Sequence, residues 1–216
     1  MLQNTESIHL RSVAACHIAC FPGSLSSKLG LAYVQKTLEW FLVNPRRFLY
    51  HVTIDGKVAG YCGGFVPVKI GDGSSSGMLQ HAFNEAIFGI IKKPWLLLHQ
   101  EVRPHYKFLW LNIKRKFTGK TIPISSSPAS AKSPSHVGLV VIGVHPDFRG
   151  KGVAEQLAIE FEKRARSFDR SELILSVKTD NARAIGAYKK LGWQIKSEEN
   201  RTYIMNKHIN IDSVIS

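Results

Sequence analysis

The chain has 216 residues, 44% of them hydrophobic and 21% charged, enough apolar sequence for one cored domain and too much for a disordered protein. Lysine and arginine number 29 against 16 acidic residues, a net charge of +13 that favours anionic partners. Three cysteines, Cys16, Cys20 and Cys62, form no regular framework, which argues against a disulfide-stapled secreted protein. The first residues lack the basic start and apolar run of a signal peptide, and no stretch reaches ~18 uninterrupted apolar residues. These features together predict a cytoplasmic protein.

The predicted elements follow in chain order. Val13, Cys16, Ala19 and Cys20 recur at helical spacing until Phe21-Pro22-Gly23 breaks the run. Ser24 or Ser26 caps a second predicted helix with the apolar stripe Leu29, Tyr33, Leu38 and Phe41/Leu42. Residues 48–54 and 58–66 read as strands, and Asp55-Gly56 between them is a two-residue hairpin signal. Residues 70–135 read as an insertion within a single 1–216 domain. Its flanks are rich in Gly and Ser, and its centre mixes apolar residues such as Phe83, Trp95 and Trp110 with lysines and arginines. It is expected to be helical, broken at Pro94 and Pro104, and its place is left among a lid, an oligomer interface and a peripheral contact of 78–120 with an anionic membrane. No nucleic-acid-binding motif accompanies it, so no nucleic-acid partner is expected; monomer and homodimer both remain open.

From residue 136 the pattern is α/β. An apolar strand ends at Val144, and a helix follows with Val153, Leu157, Phe161 and Ala165 on one face. Leu173, Leu175 and Val177 alternate along a second strand. Asp180 or Asn181 caps a helix carrying Ala184, Tyr188 and Leu191, which Gly192 ends. Residues 193–195 and 202–205 fit two closing strands around a polar turn at 197–200. Element order is β, α, α, β, β, insertion, β, α, β, α, β, β.

The most informative stretch is 144–154, Val-His-Pro-Asp-Phe-Arg-Gly-Lys-Gly-Val-Ala. Two glycines at a strand-to-helix junction let backbone N–H groups approach a ligand, and the helix N-terminus adds unpaired N–H groups and a positive dipole end. That makes a phosphate cradle, to which Arg149 and Lys151 add charge. The spacing does not fit a Gly-x-x-x-x-Gly-Lys-Ser/Thr P-loop or the Gly-x-Gly-x-x-Gly dinucleotide fingerprint. A second motif, residues 181–193, reads Asn-Ala-Arg-Ala-Ile-Gly-Ala-Tyr-Lys-Lys-Leu-Gly-Trp.

The pair of motifs resembles the GNAT (N-acetyltransferase) superfamily: Arg/Gln-x-x-Gly-x-Gly/Ala followed by Asn-x-x-Ala-x-x-x-Tyr-x-x-x-Gly-Phe, here with Trp193 for Phe. The resemblance implies an α/β fold with a mixed central sheet, splayed strands and flanking helices. It implies acetyl-CoA as co-substrate, a small primary amine as acceptor, direct transfer, and no metal. By the same resemblance Ile142, Gly143 and Val144 bind the pantetheine arm through their backbone. Arg149, Gly150, Lys151, Gly152, Val153 and Ala154 hold the pyrophosphate, and Asn181 bonds backbone or pantetheine at the splayed junction. Tyr188 is the general acid toward the departing thiolate. Gly143, a glycine inside an apolar strand, also reads from the residues alone as a bulge or a close backbone approach.

Many relatives carry a base Glu near the place of Gly138. The nearest titratable groups here are His136 and His145, and His136 is favoured because it alternates onto the face of Gly138. Residues 21–30, Phe-Pro-Gly-Ser-Leu-Ser-Ser-Lys-Leu-Gly, are similar to a pattern in bacterial members linked to surface-sugar biosynthesis, which suggests an amino-sugar acceptor, free or nucleotide-linked. A non-catalytic coenzyme A-binding module and a protein- or RNA-associated acetyltransferase are the competing readings. Cys16-His17-x-x-Cys20 lacks a second ligand pair and reads as buried small residues rather than a metal site.

Overall fold

The computed structural model describes residues 1–68, 74–99 and 135–210. Seven strands form one mixed sheet in the order β1-β2-β3-β4-β5-β7-β6. They are β1 (Leu2–Asn4), β2 (Arg47–Ile54), β3 (Lys57–Phe65), β4 (His136–Val144), β5 (Glu172–Lys178), β6 (Gln194–Glu199) and β7 (Thr202–His208). Only β4 and β5 pair in parallel; every other neighbour is antiparallel.

Period-2 patterning sorts the strand side chains onto two cores. Phe48, Tyr50 and Val52 of β2 join the cluster under α6 (Val153–Arg166) and α7 (Ala182–Lys190). Leu49 of β2 and Tyr61 of β3 join the opposite cluster, under α1 (Leu10–Cys20) and α3 (Leu31–Glu39). The predicted stripe of α6 is buried throughout: Val153, Leu157, Phe161 and Ala165 are each at most 3% exposed. Each of the larger three contributes about 1.5–3 kcal/mol on burial. The Asp55-Gly56 hairpin forms as the dipeptide predicts, with φ of 50° and 73° at its two residues.

Two element boundaries differ from the sequence expectation. The second predicted helix is split at Gly30, whose φ of +106° ends α2 (Leu25–Leu29) before α3 begins. Ser24, not Ser26, is its cap, accepting from the N–H of Ser27 at 3.3 Å. The closing turn also moves: Ser197–Glu199 continue β6 past a register shift, and the chain reverses at Asn200-Arg201 with φ of 49° and 61°. Between β3 and β4 the described residues hold α4 (Ser74–His81), α5 (Phe83–Lys92) and a 3-10 turn, Pro94–Leu98, and α5 packs on α2 and α3. The rest of the insertion, Trp110 and Pro104 included, lies outside the described residues.

The end of α7 locks it to the sheet. Gly192 adopts φ +85°, the N–H of Trp193 bonds the carbonyl of Tyr188 at 3.0 Å, and that of Gly192 bonds Lys189 at 3.0 Å. This Schellman arrangement brings the Trp193 ring against Tyr188 (centroids 6.2 Å apart) and Phe161 (6.5 Å). Trp193 is 4% exposed, so Trp193→Ala is expected to cost about 3–5 kcal/mol, read as a lowered urea midpoint.

Candidate functional site

The sheet opens where the two motifs meet. β4 and β5 are paired only from His136 opposite Glu172 to Leu139 opposite Leu175, after which β4 runs on to Val144 with no strand partner on that side among the described residues. A register shift against β3 falls between Gly63 and Gly64, which face Val141 and Leu139, so Val140 is the bulged residue. The bulge is therefore at Val140 and not at Gly143. Beyond it, the N–H of His145 bonds Ala59 of β3 at 2.9 Å. Alternation then turns the backbone groups of Gly143 toward β3 and those of Ile142 and Val144 toward the open gap. Of the three residues expected to face a pantetheine arm, Ile142 and Val144 present their polar backbone there.

Gly143 serves a different purpose. A Cβ on it would lie 2.8 Å from the Tyr61 ring, 3.1 Å from Cys20 Sγ and 3.2 Å from the Phe21 ring. The close approach is by side chains of α1, β3 and the segment after α1. Gly138 is crowded in the same way, with the Phe65 ring 2.5 Å from where its Cβ would be. Phe65 thus fills the space beside Gly138, where the resemblance led a base Glu to be expected.

The loop after β4 begins with a 3-10 turn, Pro146–Phe148, tucked in by the buried Phe148 ring. Arg149 donates from Nε to the carbonyl of Val144 at 3.4 Å, and Lys151 Nζ lies 5.1 Å from the Phe148 ring centroid. Gly150 and Gly152 have φ of +76° and +75°, and a Cβ on either would meet nothing within 4 Å. Backbone conformation rather than crowding requires glycine at both. Gly152 is the N-cap of α6 with no side-chain cap, and the first helical bond is Gln156 N–H to Gly152 O at 3.0 Å. The N–H groups of Val153, Ala154 and Glu155 are left without helical partners beside Arg149 and Lys151, a geometry suited to a pyrophosphate.

Across the gap, Asn181 caps α7 by accepting the N–H of Ala184 at 3.2 Å. This cap uses its side-chain oxygen and leaves its NH2 group as the part available to a ligand. Two turns on, Tyr188 and Leu191 face Leu139, Ile142 and Phe161 across a narrow apolar crevice. Burial, and secondarily the Cys62 thiol, push the Tyr188 phenol up to about 12, and its hydroxyl has no protein hydrogen bond among the described residues. It is a protonated donor beside the open edge of β4.

His136 is not brought to this site. It opens β4, opposite Glu172 in the closed part of the sheet, about 20 Å along the strand from Ile142. Burial lowers its pKa, with Glu172 acting in the opposite sense. Alternation onto the face of Gly138 was a sound criterion, but the strands separate only beyond Leu139. His145 is at the open end, yet its Nδ1 accepts the N–H of Asp147 at 3.3 Å. His17, read from the sequence only within Cys16-His17-x-x-Cys20, is half-buried between Tyr61 and Ser26 on the other face of β4. Among the described residues no three His, Cys, Asp or Glu side chains gather as a metal set.

A β4–β5 splay, a bulged β4 and a glycine-built N-terminus on the next helix define an acyl-coenzyme A-binding type of α/β fold. The chain belongs to the acetyltransferase (GNAT) family, whose model matches residues 12–193. A 71-residue stretch is 35% identical to an acetyltransferase of Yersinia enterocolitica, covering 33% of this chain and 48% of that protein, so the match spans about half the relative's length. Among solved structures, the PaiA N-acetyltransferase of Thermoplasma acidophilum in complex with coenzyme A has a TM-score of 0.54 at 11% identity, over 97% of this chain and 98% of that one. The ribosomal-protein-alanine N-acetyltransferase of Brucella melitensis has a TM-score of 0.56 at 14% identity, over 97% and 99%. At these identities the two structures establish the fold.

Proposed function

We propose that this chain transfers an acetyl group from acetyl-CoA directly to the primary amine of a small molecule. The observation that carries the reading is the open edge of β4, with Ile142 and Val144 facing the gap, aligned with the uncapped N-terminus of α6. Amides 150–154 hold the pyrophosphate, Arg149 and Lys151 add charge, and the edge of β4 pairs with the pantetheine arm. An N–H of that edge polarises the thioester carbonyl, where negative charge develops as the amine attacks. The tetrahedral intermediate collapses to amide and thiolate, and the thiolate takes its proton from Tyr188. The proton lost by the amine as the intermediate collapses passes to solvent, the thiol's proton comes from Tyr188, and solvent returns one to the phenol, so no net proton is taken up.

Among the described residues His136 lies in the closed part of the sheet and His145 Nδ1 accepts the N–H of Asp147, which supports a proposal without a histidine base, in which the amine enters in its neutral form. The rate at subsaturating amine is expected to rise about tenfold per pH unit up to the amine's own pKa, with no inflection near pH 6.5. A plateau beginning near pH 6.5 in the pH–rate profile would show a histidine base instead.

For the acceptor we propose an amino sugar, free or nucleotide-linked, on the resemblance of residues 21–30 to the surface-sugar-linked pattern. The release of coenzyme A thiol from acetyl-CoA is the test, with amino sugars, nucleotide-linked amino sugars, polyamines and N-terminal peptides offered in parallel. Turnover with an amino sugar supports the whole reading, and turnover with a peptide alone replaces the acceptor. Tight acetyl-CoA binding with no turnover on any amine identifies a coenzyme-binding module that does not catalyse.

A further inference from the structure

α5 is apolar on both of its faces, and only one of them is packed. Ala86 and Gly89 are buried toward α2 and α3, and a Cβ on Gly89 would lie 2.9 Å from the carbonyl oxygen of Leu29. The other face carries Phe88 and Ile91, three residues apart on the helix. After the break at Lys93-Pro94, Trp95 and Leu98 are again three apart on the 3-10 turn, which the buried Leu96 anchors. Phe88, Ile91, Trp95 and Leu98 are 63% to 72% exposed. Large apolar side chains concentrated in residues 88–98 mark a contact surface, unlike the same residues scattered singly.

The surface is also basic. Lys92 stands exposed between the two apolar pairs. Lys93 donates from Nζ to the carbonyl of Lys28 at 2.7 Å, and Lys28 Nζ lies 3.1 Å from His99 Nε2. Each of these ammonium groups keeps further N–H donors for a ligand. Glu85 is the one acidic residue in the sequence 74–99.

We propose that this face docks on an anionic lipid membrane, with Phe88, Ile91, Trp95 and Leu98 entering the headgroup–acyl boundary and Lys28, Lys92 and Lys93 meeting the lipid phosphates. Charge selects that occupant. A second copy would bring the same lysines and the same net charge of +13. Residues 100–120 of the chain itself would bring Arg103, Lys107, Lys114, Arg115, Lys116 and Lys120 against Glu101 alone. Both add like charge, whereas an anionic leaflet adds the opposite one. The side chains agree: a Trp suits a boundary with an apolar and a wet side, and Phe, Ile and Leu add apolar burial. Nucleic acid would draw on the lysines and leave that apolar surface in water. α5 has ten residues, about 15 Å of helix, half of the ~30 Å hydrocarbon core. Among the described residues no helix is long and apolar enough to cross a membrane, so the contact is made along the surface. The face lies apart from the Tyr188 crevice and the α6 N-terminus, and its docking does not depend on acetyl transfer.

Sedimentation with vesicles tests this, using phosphatidylcholine with and without about 30 mol% phosphatidylglycerol, at low salt and at about 0.5 M salt. The unaltered chain is expected to bind the anionic vesicles about tenfold more tightly, and high salt should remove most of that difference. Phe88→Ser with Ile91→Ser, and separately Trp95→Ser with Leu98→Ser, should each weaken binding about tenfold while acetyl-CoA affinity stays within about twofold. Both pairs keep every lysine, so they separate apolar insertion from charge attraction; Lys92→Glu is the converse variant and should also weaken binding about tenfold. Vesicle binding that both serine pairs leave unchanged overturns the docking face. So does a lipid-free dimer that they dissociate, which assigns the face to a second copy. Binding of a single-stranded RNA probe with none to vesicles overturns it as well, as does a urea midpoint lowered by the serine pairs in a chain that ignores vesicles, which assigns the face to the protein's own interior.

Discussion

Tyr188→Phe is expected to lower kcat about 100-fold, roughly 2.7 kcal/mol of transition-state stabilisation, while acetyl-CoA affinity stays within about twofold. The asymmetry follows from where the ring sits. Its aromatic body packs with Trp193, Leu139 and Ile142, and phenylalanine keeps all of that. Only the hydroxyl is lost, and it has no protein partner among the described residues. With the phenol held protonated up to about 12, its donor form persists across the working range, and no alkaline loss of rate is expected from it below pH 9. Single-turnover kinetics with pre-bound acetyl-CoA separates the chemical step from binding. An unchanged rate would assign Tyr188 to the apolar wall of the crevice alone.

Gly152→Val is expected to weaken acetyl-CoA binding about 10- to 100-fold, or about 1.4–2.8 kcal/mol. A left-handed residue with a Cβ costs about 1–2 kcal/mol, and the β-branched valine is at the unfavourable end of that range. The backbone relieves this by leaving φ +75°, which turns the first N–H groups of α6 away from a common point. No steric clash contributes, since a Cβ there meets open space. The effect should therefore appear in coenzyme affinity by calorimetry, with the urea midpoint falling only as far as the backbone strain requires. Equal affinity in the two chains would remove the α6 N-terminus from the donor site.

The legible parts of this fold were those written in local chemistry. The Asp55-Gly56 turn, the Val153-Leu157-Phe161-Ala165 stripe, the Asn181 cap and the Gly192 stop each follow from short-range rules, and each is present. At Arg149–Gly152 the structure places two left-handed glycines at the strand-to-helix junction where the spacing put them, and their role toward a pyrophosphate belongs to the proposal. What was not legible depends on neighbours distant in sequence. Val140 and Gly143 lie in the same apolar strand, and only the register against Gly63 and Gly64 tells which one bulges. His136 is attractive by alternation until the point of separation from β5 is known. The fit of Phe65 over Gly138 and the Tyr61–His17–Ser26 chain join residues far apart in sequence, and no spacing rule reaches them. Gly30 could have been read as a helix break, but the apolar stripe running past it masked that signal.

The central claim is that one opening, between the free edge of β4 and the N-terminus of α6, receives acetyl-CoA. A crystal structure of this chain grown with acetyl-CoA tests it most directly. The expected result is pyrophosphate oxygens about 3 Å from backbone nitrogens within 150–154, with the pantetheine amides paired to Ile142 and Val144. Coenzyme bound elsewhere, or β5 paired with β4 as far as Val144, would contradict the account.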